Sequence, residues 1–184
     1  SSTVTVTLKA TDNLSGVAGT YYSVDNGAQQ SGSTVSVSTE GTHQISYWSV
    51  DKAGNPETPT TVTVFVDKTA PTISGRATTS PNVNGWYNAP VTVHFSCGDA
   101  LSGIASCTPD TTVSAQGANS VVGSATDNAG NTASTTVAPI NIDTVAPTVT
   151  IGGIKDGGKY TLGAVPMATA TATDATSGIA GAAS

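Results

Sequence analysis

The stretch 45–72, ISYWSVDKAGNPETPTTVTVFVDKTAPT, decides the fold, because its parts are written again further along the chain. D-x-A-G-N stands at Asp51–Asn55 (DKAGN) and at Asp127–Asn131 (DNAGN), and VDKTAPT from Val66 returns as IDTVAPT from Ile142. Asp51 and Asp67 are 16 residues apart, as are Asp127 and Asp143, and Asp67 precedes Asp143 by 76. Two motifs that keep one spacing mark an internal repeat. A third motif, D-x-x-S-G, occurs as Asp12–Gly16 (DNLSG), Asp99–Gly103 (DALSG) and Asp174–Gly178 (DATSG). Between the motifs of the quoted stretch, Val62, Val64 and Val66 alternate with other residues. That period of two gives a strand one apolar face.

Working outward, similar short runs lie at Thr3–Ala10, Gly19–Val24, Thr34–Ser38 and His43–Val50, and then at Val91–Cys97, Ser120–Thr126 and Thr135–Ile142. Val91, Val93 and Phe95 are expected to point inward, with His94 on the opposite, solvent-facing side. Such runs separated by turn residues predict an all-β chain of packed two-sheet sandwiches, one per repeat. The expected spans are 1–67, a module lacking its first strand; 68–146, a complete module whose opening strand comes from 72–90; and 147–184, the N-terminal part of a third. The parent protein is expected to continue in both directions.

Composition agrees with this reading. The 184 residues are rich in Thr, Ser, Val, Ala and Gly, which favour strands and turns over helices. Six basic residues against twelve acids give a net charge of −6, so no basic cluster can follow a phosphate backbone or hold an anionic membrane surface. Nucleic acid is not an expected partner. No apolar run reaches the ~20 residues of a membrane helix, and no leader-like segment opens the chain. Cys97 and Cys107 flank a loop-like stretch, which suits a disulfide and a compartment outside a reducing cytosol; two buried thiols are the alternative.

Taken together, DNLSG, YSVDNGAQ, STEGTHQISYWSVDKAGNPE and VDKTAPT resemble the immunoglobulin-like repeats of bacterial secreted and surface proteins. NGWYNAPVTVHFSC, DALSGIASC, ATDNAGNTAS and NIDTVAPTV are similar to a sister type common in actinobacterial and related exported proteins. The resemblance covers essentially the whole chain. It implies tandem immunoglobulin-like (fibronectin III-like) β-sandwiches in an elongated array, secreted or on the cell surface, serving as the stalk of an adhesin or as an accessory segment beside a hydrolase. The expected partners are neighbouring repeats of the same chain. The alternative is an accessory module that itself binds carbohydrate or a host or surface protein.

Ten of the twelve acids are Asp, and seven fall at repeated positions: Asp12, Asp51, Asp67, Asp99, Asp127, Asp143 and Asp174. A short carboxylate fixes a loop by accepting nearby backbone N–H groups, and Gly and Asn in D-x-A-G-N suit left-handed turn conformations. The competing reading is calcium, which gathers six to eight oxygen ligands. Asp67 and Asp143, each shortly before Ala-Pro, stand where such an ion would stiffen a linker. Pro71 and Pro147 restrict that linker to extended conformations.

The aromatics form adjacent pairs, Tyr21–Tyr22, Tyr47–Trp48 and Trp86–Tyr87. One member of each is expected inside and the other outside, so Trp86 or Tyr87 is a candidate for stacking on a sugar ring. His43 and His94 fall in different expected modules, His43 opening a strand after a Gly-Thr turn. No nucleophile elbow, metalloprotease or phosphate-loop motif occurs, and a small sandwich offers no obvious cleft. The chain is expected not to be an enzyme.

Overall fold

The computed structural model describes residues 3–181; the outermost residues of the first and third expected spans, 1–2 and 182–184, lie outside the described residues. Among the described residues every regular element is a β-strand. The chain forms two compact units. One comprises Ser1–Ile73, Cys97–Cys107 and Ser124–Ala133, the other Ser74–Ser96, Thr108–Gly123 and Ser134–Ser184.

In the first unit the leading strands are β1 (Val4–Thr7), β2 (Val17–Val24), β3 (Gln30–Ser31), β4 (Thr34–Val37), β5 (Gly41–Asp51) and β6 (Thr60–Val66). β1 pairs with β4, and a four-stranded sheet runs in the order β3-β2-β5-β6. Alternation decides which side chains meet between these two sheets. Leu8, Val35, Val37, Ile45 and Val66 are buried there, with Val4, Val6, Tyr22, Val24, Tyr47 and Val64 packed against them. Ile45 is fully buried, and cutting it to Ala should cost about 2–5 kcal/mol. β2 ends in a tight turn: Gly27 N–H donates to Val24 O, and Asp25 and Asn26 have φ of 52° and 58°. This is the primed hairpin geometry that Asp and Asn tolerate.

Two expectations shift here. β1 is shorter than the Thr3–Ala10 run: its pairing with β4 ends at Thr7 opposite Thr34, after which only Leu8 N–H bonds Ser33 O, and Leu8 still reaches the core. β5 begins at Gly41, so His43 lies inside a strand rather than at its start and is buried at 8% exposure.

The later strands are β7 (Thr72–Ala77), β8 (Trp86–Tyr87), β9 (Val91–Gly98), β10 (Ile104–Cys107), β11 (Thr111–Val113), β12 (Gly117–Asp127), β13 (Thr132–Ile142), β14 (Thr148–Gly152) and β15 (Thr169–Thr173). They form sheets in the orders β11-β9-β7, β10-β12-β13-β8 and β14-β15. Val91, Val93 and Phe95 are buried as expected, together with Val121, Ile140 and Ile142, and His94 is on the more open side. The Phe95 ring occupies room left by two glycines. A Cβ on Gly123 would lie 2.3 Å from Phe95 Cε1, and one on Gly75 would lie 2.7 Å from the same atom.

Cys97 and Cys107 form a disulfide with Cα atoms 6.0 Å apart, within bridging reach. Every sheet draws all its strands from within 1–67, 68–146 or 147–184. No helix among the described residues is long and apolar enough to cross a membrane.

Candidate functional site: carboxylates at the repeated loops

The seven recurring Asp residues divide into three structural roles. In D-x-x-S-G the Asp folds its own loop. Asp12 Oδ1 accepts N–H bonds from Leu14 (3.1 Å) and Gly16 (2.7 Å), and Asp99 Oδ1 accepts them from Leu101 (3.1 Å) and Gly103 (2.8 Å). Asp174 Oδ1 does the same for Thr176, Ser177 and Gly178. The closing glycine adopts φ of +79°, +76° and +74° in the three copies, which explains its presence in each. The N–H groups of Gly16 and then Leu14 hold the Asp12 carboxyl below the usual carboxylate range.

In D-x-A-G-N the Asp ties back its Asn. Asp51 Oδ1 accepts Asn55 N–H and Asp51 Oδ2 accepts the Asn55 amide, both at 2.8 Å, and Asp127 repeats both bonds with Asn131 at 2.8 Å. The Asn55 side chain, followed by its backbone N–H, lowers the Asp51 pKa. This loop docks on the first one. Lys52 N–H donates to Gly16 O at 2.9 Å, and Asn128 N–H to Gly103 O at 3.0 Å.

The third role joins successive repeats. Asp67 Oδ1 accepts Thr69 N–H (3.0 Å), while Oδ2 accepts the N–H of Ser102 (3.1 Å), in the next D-x-x-S-G loop. Asp143 repeats this with Val145 (2.9 Å) and Ser177 (3.0 Å). Both carboxylates are buried, at 5% and 8% exposure. The Ser102 side chain lowers the Asp67 pKa and the Ser177 side chain that of Asp143, outweighing burial. Asn131 adds a second tie, donating to Asp67 O (3.2 Å) and Thr69 O (3.1 Å).

Two residues of this arrangement escaped the motif reading. Glu40 Oε1 accepts from Lys68 N–H, Thr69 N–H and the Thr69 hydroxyl, and Gln116 grips Thr144 through its carbonyl (3.1 Å) and amide (2.6 Å). Glu40 and Gln116 stand one repeat length apart, each before a glycine of positive φ. Their differing residue types hid the match, and the 76-residue offset is the signal that finds it.

Asp67, Asp99 and Asp127 converge, each offering one carboxylate oxygen within 4.8 Å of the others. Elsewhere the Asp51 charge bears on Asp12, and Asp174 lies beside Asp143. Three hard, anionic oxygens fit a cation such as calcium, which would draw its remaining ligands from carbonyls and water.

The histidines are separately engaged. His43 Nδ1 lies 2.7 Å from Asp25 Oδ2, and Nε2 faces both Thr39 Oγ1 (3.2 Å) and Thr39 O (3.1 Å). The three side chains line up in the order Asp25, His43, Thr39. The hydrogen bond to Asp25 raises the His43 pKa, and Nε2 can either donate to Thr39 O or accept from the Thr39 hydroxyl, depending on the tautomer. His94 bonds Asp110 at 2.7 Å with both side chains substantially exposed.

A hollow does exist, lined among others by Asp12, Asp51, Glu57 and Tyr47. Its acids are committed, Glu57 Oε2 accepting Ser49 N–H at 3.1 Å and the two Asp residues holding their loops. Trp86 and Tyr87 are both half-buried in β8, which lies parallel to β13, and the Tyr87 hydroxyl donates to Thr79 O. No protein family, curated protein or solved structure matches the chain.

Proposed function

We propose that the chain is part of an extracellular spacer built from tandem immunoglobulin-like modules, with bounds near 67/68 and 146/147, that presents or supports an adhesive or catalytic domain. The observation that carries this reading is the doubled joint: Asp67 with Ser102 and Asp143 with Ser177, matching within about 0.1 Å. A buried linker carboxylate that takes a backbone N–H from the following loop restrains the hinge between modules, as a spacer requires. The disulfide supports a location outside a reducing cytosol. Limited tryptic digestion tests the restraint, because Lys68 lies in the linker. Wild-type protein should resist cutting between Lys68 and Thr69, and Asp67→Ala should be cut there at least about tenfold faster. Equal rates would remove the proposal.

The converging carboxylates of Asp67, Asp99 and Asp127 favour a second reading of the same joint, in which calcium clasps it. Binding only to the folded state would raise the melting temperature with calcium concentration. A melting temperature unchanged between millimolar calcium and excess chelator would discard the clasp and leave the hydrogen-bonded joint standing.

A further inference from the structure

We infer that the outward face of the β2–β5 pair is a stacking platform for a neutral sugar polymer, centred on Tyr21 and Trp48. The two residues are direct cross-strand partners, and their neighbours in sequence, Tyr22 and Tyr47, point the other way into the core. The Tyr21 and Trp48 rings are near-parallel, 25° apart in plane with centroids separated by 6.1 Å, and they form the only stacked ring pair among the described residues. Both are half-buried.

Gly19 explains the posture. It precedes Tyr21 by two residues on the same face, and a Cβ there would meet the Tyr21 hydroxyl at 2.9 Å and Cζ at 3.1 Å. The tyrosine therefore lies down along the strand over bare backbone instead of standing off the sheet, and Trp48 follows its plane. Both residues keep part of their surface in solvent. The pair is not part of the buried core cluster.

The surroundings select the ligand. The cross-strand partners on this face are Ser31 opposite Tyr21, Val50 opposite Gly19, Ser23 opposite Ser46, and Ser46 opposite Thr61, all uncharged in a chain of net charge −6. Anionic polymers would be repelled by the overall charge, and cationic ones find no carboxylate among these partners. A pyranose offers what the patch can use: a C–H face for the rings and equatorial hydroxyls for Ser, Thr, the tyrosine O–H and the indole N–H.

Tryptophan fluorescence reads this site directly, because Trp86→Phe leaves Trp48 as the sole tryptophan. Affinity electrophoresis and fluorescence titration would use hydroxyethylcellulose, laminarin, amylose and chitin oligosaccharides, with alginate as the anionic control. At least one neutral polymer should retard the protein and shift Trp48 emission saturably. Tyr21→Ala and Trp48→Ala should each weaken binding by about tenfold or more. Gly19→Ala, which keeps both rings but lifts Tyr21, should weaken it too and serves if the ring deletions unfold. Binding to none of the neutral polymers would overturn the platform. So would binding that survives these substitutions in folded protein or is lost only in Trp86→Ala, and so would equal retention by alginate.

Discussion

Phe95 sits where two glycines make room, and this single residue shows how finely the core depends on absent side chains. Gly123→Ala would drive a methyl into the ring, and such overpacking should destabilise by about 1–3 kcal/mol in denaturant titration. The inward turn of Phe95 was legible from alternation with Val91 and Val93, whereas the glycines lie on other strands and meet it only once the sheets are packed. His43 gives the second residue-scale prediction. Its pKa is raised from 6.5 by Asp25, so its contribution is complete below about pH 6.5 and is lost as pH rises through the higher folded value. Asp25 is lowered from 3.8, chiefly by His43, so its contribution holds above about pH 3.8 and is lost as pH falls through the lower folded value. Melting temperature against pH should therefore decline on both sides of this window, and His43→Gln should flatten the alkaline limb.

At the scale of elements, the disulfide closes a short loop between β9 and β10. Closing ten residues of separation should stabilise by about 3 kcal/mol, so Cys97→Ala/Cys107→Ala should lower the denaturant midpoint with little change in slope. The same scale shows why the recurring Asp residues were only half readable. Asp12, Asp51, Asp99, Asp127 and Asp174 hold loops within four residues of themselves, and local chemistry of that kind is visible in sequence. Asp67 and Asp143 reach partners 35 and 34 residues away, which no local rule announces. Strand periodicity likewise located the longer strands but not β3, β11, β14 or β15, and it placed the starts of β2, β5, β12 and β13 late, at β5 because Gly41 and Thr42 read as a turn.

Across the whole molecule, the acid response should be shared. Asp12, Asp51, Asp67 and Asp143 are all depressed below 3.8 by hydrogen bonds, so each stabilises the fold above that pH and loses its contribution as the carboxyl protonates. Acid unfolding should be steep below about pH 4, and Asp67→Asn with Asp143→Asn should reduce the number of protons taken up on unfolding.

The joint carries a further consequence in its polarity. In both pairs the accepting carboxylate stands at the end of one sequence repeat and the donating N–H near the start of the next, a socket at one end and a plug at the other. A head-to-tail contact of this kind adds copies in one direction, and closes into a ring only where the rotation per step returns to its start. On the proposed modular reading, copies can be inserted or deleted in whole numbers without composing a new interface, and length becomes a quantity that gene duplication can set freely.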